Sequence, residues 1–185
     1  MATKIDICNS ALIKIGQSRI SSITEDTKAA IFCNQQYATL RDEVLYSHPW
    51  NFAVRRVELG LLATAPAFEF DNQFQLPSNC LRVLETDDTD MIYVIEGRNL
   101  LTNWDTVKIK YIERITDESQ FNPAFAEALA LRMAWDLAYP LVESVSLQDR
   151  MAAAYEAFLA QARSFDAQEG TPEEMNSDTW LNARL

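Results

Sequence analysis

Apolar positions along this chain recur with two different periods, and the changes of period divide it into three stretches. Near the start, Ile5, Cys8, Leu12 and Ile15 step by three and four, a spacing that places side chains on one face of a helix. Thr3 stands where an N-cap accepts from the backbone N–H of Asp6, and Gly16 supplies the left-handed residue that ends such a helix. A longer stripe follows in Ala30, Cys33, Tyr37, Leu40 and Val44, entered near Thr24 or Asp26 and stopped by Pro49. From Trp50 the period shortens. Phe52 to Leu62 reads as a strand, and the alternation Phe68-Glu-Phe-Asp-Asn-Gln-Phe as another. Pro77-Ser-Asn turns the chain into a strand at Cys80, and Met91 to Ile95 is a β-prone run. Glu96-Gly-Arg-Asn reads as a hairpin turn, and Val107, Ile109 and Tyr111 alternate with Lys108 and Lys110. The helical period returns at Asn122, an N-cap followed by Pro123, with Phe125, Leu129, Met133 and Leu137 on one face and Pro140 as its stop. A last stripe runs Leu147, Met151, Ala154, Phe158, Ala162 and Phe165, ending before Gly170 and Pro172.

These patterns predict an α+β chain, mainly helical. Helices over 4–15, 26–47, 123–138 and 146–168 pack together, with a small antiparallel sheet or barrel inserted over 52–112. Residues 1–170 then form a single domain, and 171–185, polar and without sustained period, an extended arm.

Composition narrows the function less than the pattern narrows the fold. With 48% apolar residues in 185, the chain can build a core without disulfides or metal. Its formal net charge of -11 disfavours a surface that neutralises phosphates, since such surfaces gain affinity when Lys and Arg displace counterions. Cys8, Cys33 and Cys80 have neither zinc-site nor redox spacing, and Cys8 and Cys33 fall on apolar helix faces as small hydrophobes. An acid at position 6 interrupts any signal-peptide core, and no apolar run approaches the roughly 20 residues that span a bilayer. A reducing cytoplasm is the expected place of synthesis.

A search for chemistry finds little. One histidine, His48, cannot supply a two-histidine metal site or a histidine-based triad with further histidines, and between a helix end and Trp50 it reads as a cap or packing residue. Gly60 and Gly97 stand alone, without a phosphate-binding pattern. Glu25-Asp26 and Asp87-Asp88 are acid pairs of the kind glycoside hydrolysis needs, but both fall in polar connections and read as solvated turns. Arg55-Arg56, the one basic doublet, reads as outward charge on a strand edge. No catalytic residue, cofactor site or metal site is expected.

Two stretches carry a resemblance. Ile7-Cys-Asn-Ser-Ala-Leu-Ile-Lys-Ile-Gly, Ile20-Ser-Ser-Ile-Thr-Glu-Asp and Leu40-Arg-Asp-Glu-Val-Leu-Tyr-Ser-His-Pro-Trp-Asn-Phe-Ala resemble the opening of tail tubular protein A and related head-to-tail adaptors of short-tailed bacteriophages. Phe74-Gln-Leu-Pro-Ser-Asn-Cys-Leu-Arg-Val-Leu is similar to that family's strand-entering segment, and the Pro-Trp-Asn-Phe run is the most specific part. The resemblance implies a non-enzymatic virion protein, assembled in the host cytoplasm. About twelve copies close a ring between the portal protein and the tail nozzle protein, with DNA passing through the lumen and no membrane involved. It also implies a C-terminal segment that grips the portal. Here that duty falls to 171–185, with Trp180 and Leu181 as apolar anchors and Arg184 beside them. The acid-rich stretch 166–178 is a candidate lining for the lumen. Two other readings stay open: a tail-associated cell-wall hydrolase, and a tail-completion or scaffold-binding module that assembles differently.

Overall fold

The computed structural model describes residues 2–168, and Trp180, Leu181, Arg184 and the rest of the expected arm lie outside them. Four helices, α1 (Lys4–Lys14), α2 (Lys28–Ser47), α3 (Pro123–Val142) and α4 (Val145–Gln168), flank in chain order six strands: β1 (Val54–Glu58), β2 (Asn72–Gln75), β3 (Cys80–Thr86), β4 (Tyr93–Glu96), β5 (Asn99–Thr102) and β6 (Lys108–Glu113). The protein is α+β and mainly helical. Its strands form two antiparallel three-stranded sheets, β1-β6-β3 and β2-β5-β4, and do not close into a barrel.

Helix α1 begins and ends as its sequence dictates. Thr3 Oγ1 accepts from the Asp6 N–H while the Asp6 carboxylate accepts from the Thr3 N–H, a reciprocal cap. At the other end Gln17 donates to the Leu12 carbonyl and Gly16, at φ +74°, to that of Ile13, closing the turn through a left-handed residue. Helix α2 starts later than expected, with Thr27 rather than Thr24 or Asp26 as its cap. The reason is local. The Glu25 carboxylate accepts from the N–H groups of Ser21 and Ser22, and Ser22 and Thr24 bond through their hydroxyls, so this stretch is already a closed turn.

Helix α3 is the hub on which α1, α2 and α4 all pack. Its Phe125, Leu129, Met133 and Leu137 are buried as the stripe predicts, but so are Ala128, Ala130, Ala134 and Ala138, and a helix apolar nearly all round is a central one. The expected stop at Pro140 is corrected, because α3 continues through it to Val142. Proline in this last turn forfeits one backbone bond, and the packing of Leu141 and Val142 against the helical core offsets the loss. The helix closes at Glu143, whose N–H reaches the Tyr139 carbonyl at φ +55°, a left-handed conformation that costs a side-chain-bearing residue. Replacing Glu143 by Gly should therefore raise stability by about 0.5–1 kcal/mol, read as a higher midpoint of urea unfolding.

Helix α4 buries Leu147, Tyr155, Leu159, Ala162 and Asp166, while Phe165, expected inward, is 61% exposed. The strands depart from expectation at three places. Asn51–Ala53 is a short 3-10 turn that carries Phe52 into a ring cluster with Trp50, Phe121 and Phe125, so the strand begins only at Val54. It ends at Glu58, and beyond it Leu61 makes one isolated bridge to Phe74. The alternation from Phe68 to Phe74 becomes strand only from Asn72, because β5 ends at Thr102, opposite Asn72, and leaves residues 68–71 without a ladder to join. The run from Met91 gives a strand from Tyr93 to Glu96, and the hairpin turn falls on Gly97 and Arg98 as expected, with Gly97 at φ +57°.

Strand β6 joins two cores. Ile112 belongs to the helical core with Trp50 and α3, whereas Ile109 and Tyr111 belong to a second core with Phe74, Leu76, Met91 and Leu100 between the sheets. The first sheet is thus packed on the helices at one end and covered by the second sheet on its other face.

Candidate functional site

The residues that carry chemistry in the sequence are taken up by joints of the fold. His48 caps the end of α2 and meets the edge of Trp50 at 5.0 Å, as expected for a packing residue. It also has a partner that sequence spacing could not reveal. Its Nε2 lies 2.8 Å from the Asp166 carboxylate, which accepts from the Asn51 N–H as well, while Asn51 Nδ2 donates to the Asp166 carbonyl at 2.7 Å. Arg163 adds a bond to the Ser47 carbonyl. The last turn of α4 is thereby tied to the link between α2 and β1. Asp166 is only 5% exposed, so it is withdrawn from the stretch offered as a lumen lining. Burial holds the His48 imidazole below its ordinary pKa of 6.5. The bond to and charge of Asp166 oppose that shift, and Arg163 and Arg82 add to it.

A second joint lies where the chain crosses from one sheet to the other. Leu76 donates to the Arg98 carbonyl, Cys80 to that of Pro77, and the Arg98 guanidinium bonds the carbonyls of Pro77 and Cys80. Asn79 donates to the Glu113 carboxylate, which also pairs with Arg55 at 2.9 Å. The Pro49–Phe52 run and the segment around Pro77 thus fall at these two joints.

Acid pairs serve turns. Glu25 holds the Ser21 and Ser22 amides, and Asp26 is exposed. Asp87 accepts from the Lys108 N–H, while Asp88 accepts from the Asp90 N–H and from Trp104 Nε1. Asp87 also lines a shallow groove with Glu58 and Glu85, in which Lys108 and Lys110 stand beside the acids. Arg55 and Arg56 lie on β1, an edge strand as expected, with Arg56 outward beside the same groove of about 330 Å³. Cys8 and Cys33, distant in sequence, face each other across α1 and α2. The bond between the two thiols, with burial, raises the Cys8 pKa, while the same bond lowers that of Cys33 against the opposing effect of burial. Both are fully buried and remain free thiols, as is the buried Cys80. Among the described residues no group of three or more His, Cys, Asp or Glu side chains is placed to hold a metal ion, and no helix is long and apolar enough to cross a membrane.

What the described residues leave uncovered is apolar surface. On the second sheet, Ile92 is 70% exposed and Val94 and Ile95 about 40%; across the sheet, beside β2, Leu61 and Phe68 are also open. Ile13, Ile31, Tyr46, Tyr139, Val145 and Phe165 are open on the helical body to a similar degree. No family model and no curated protein matches the chain.

Proposed function

We propose that this chain is a structural subunit of a phage head-to-tail connector, about twelve copies of which close a ring between portal and nozzle and perform no covalent chemistry. The observation that carries the reading is the uncovered apolar surface on the second sheet, held by a scaffold whose polar side chains are spent on joints. Exposed apolar side chains on an open strand edge are a liability in a free monomer and an asset in a subunit. The resemblance of the segments around Trp50 and Pro77 supports it further. The first segment ties α2 to α4 and to the start of β1, and the second ties the two sheets to each other. DNA passes as cargo through a lumen that a net charge of -11 keeps from binding it tightly. The segment 171–185, with Trp180, Leu181 and Arg184, is the portal grip.

The test is the mass of the purified chain, alone and after mixing with the portal protein of a short-tailed phage from the same source. The expected result is a 21.0 kDa subunit that assembles to about twelve copies, by itself or on the portal. A chain that stays monomeric and ignores the portal would overturn the reading, and clearing of a peptidoglycan suspension by that monomer would favour the hydrolase.

A further inference from the structure

Two nucleophiles that the connector reading leaves unused meet inside the helical core. Cys8 on α1 and Cys33 on α2 are both fully buried, both free, and bonded thiol to thiol. Sulfurs in that contact need only a small approach to reach the bonding distance of a disulfide, about 2 Å.

Burial alone would leave both thiols inert, and what sets this pair apart is a cation beside it. Lys4 stands one turn before Cys8, and its ammonium crosses from α1 to α2. It donates to Asn34 Oδ1 at 2.8 Å, next to Cys33, and lies 5.0 Å from the centre of the Tyr37 ring, one turn beyond. A positive charge there favours the thiolate at either sulfur. The bond between the thiols decides which, since it raises the Cys8 pKa and lowers that of Cys33. Cys33 is therefore the nucleophile of the pair, and Cys8 the thiol that keeps its proton. The third thiol is the contrast. Cys80 lies in the second core, apart from the other two, and burial raises its pKa against the pull of Arg98.

We propose that Cys8 and Cys33 are a site of reversible oxidation by hydroperoxides, at which a disulfide staples α1 to α2. The Cys33 sulfur attacks one oxygen of hydrogen peroxide and the O–O bond breaks. Cys33 becomes a sulfenic acid, and the departing hydroxide leaves as water with the thiol's proton. The Cys8 sulfur then attacks Cys33, the S–O bond breaks, and the hydroxyl departs as a second water with the Cys8 proton. Two thiols and one peroxide thus give one disulfide and two waters; each sulfur gives up one electron and the peroxide takes both. Burial sets the pace of this reaction. Peroxide is little larger than water and reaches the pair when α1 opens locally from α2, so oxidation of the folded chain is slow. The disulfide closes a loop over the linker between the two helices and lowers the entropy of the unfolded chain. The clasp stands apart from the connector reading and holds whether or not copies assemble.

Hydrogen peroxide on the intact folded chain tests it, with remaining thiols alkylated in denaturant afterwards and the products identified by mass spectrometry. The expected product is lighter by two hydrogens, links the peptides that hold Cys8 and Cys33, and retains Cys80 in alkylated form. The Cys33 thiol should disappear about tenfold or more faster than that of Cys80. Dithiothreitol should restore both thiols, and the oxidised chain should melt about 5–10 °C above the reduced one. In Cys8→Ala the reaction should stop at a Cys33 sulfenic acid that dimedone traps, and the wild-type readouts decide the matter should that variant not fold. A wild-type chain that keeps both thiols while Cys80 is consumed would overturn the clasp. So would a Cys8–Cys33 bond that forms only in urea, or an oxidised chain that melts below the reduced one.

Discussion

Replacing Trp50 by Ala should cost about 3–5 kcal/mol of folding stability, the largest loss expected from any single substitution at the joints. The side chain is fully buried, and three rings contact it: His48 and Phe125 edge-on, with centroids at 5.0 and 5.3 Å, and Phe52 tilted at 6.4 Å. Its Nε1–H donates to the Val44 carbonyl at 3.0 Å, tying the turn after α2 back onto the helix. Alanine would leave a cavity at the meeting point of α2, α3 and β1 that rigid neighbours cannot fill. Against a total of about 5–15 kcal/mol, such a loss lowers the thermal midpoint on the order of 10 °C. Phe at this position keeps most of the ring contact. It forfeits only a bond to a carbonyl that also accepts from Ser47 Oγ, so it should cost about 1–2 kcal/mol. Urea unfolding of the two variants beside wild type checks the ordering. An Ala variant as stable as the Phe variant would mean that the joint does not depend on this ring.

Trp50 also shows how much of the molecule was legible in the sequence. The stripe of α3, the caps at Thr3 and Asn122 and the turn at Gly97 depend on neighbours within a few residues, and each appears where the pattern places it, while the stripe of α1 holds at Cys8, Leu12 and Ile15 but buries Ile7 instead of the expected Ile5. What could not be read depends on distant partners. The alternation at Phe68 resembles a strand as well as that at Phe74 does, but only the second meets β5. Phe165 continues the stripe of α4 by spacing, yet the stripe turns so that Asp166 occupies the inward position, where His48 and Asn51 supply the donors. Cys8 and Cys33 were assigned correctly to apolar faces, while their meeting across two helices needed the packing. For the candidate site the limit was sharper. The turns at Glu25 and Asp88 could be read locally, but open strand edges are a property of sheet order, and sheet order is not written in any single segment.

Stability should fall as pH is lowered through about 6.5, and this change should belong to one residue, since His48 is the only histidine in the chain. Burial, with Arg163 and Arg82 nearby, favours the neutral imidazole in the folded state over the protonated one, and Asp166 opposes this only in part. The unfolded chain thus takes up the proton at the ordinary pKa of 6.5, and the folded chain only at lower pH. The stabilisation is fully present above the unfolded value and is lost as pH falls towards the folded one. Urea midpoints at about pH 7.5 and about pH 5.5 should differ in wild type and converge in His48→Gln. Equal wild-type midpoints, or a higher one on the acid side, would show the sign to be wrong. Asp166→Asn removes the charge that raises the His48 pKa and keeps an amide oxygen as acceptor, so the acid loss should extend to lower pH than in wild type. Asp166→Ala goes further. It strips the acceptor from His48 and from the Asn51 N–H in a site that leaves the carboxylate 4% exposed, at a cost of about 2–4 kcal/mol. The two substitutions separate charge from hydrogen bonding. An Ala variant no less stable than the Asn variant would mean that α4 is held at this end by its apolar stripe alone.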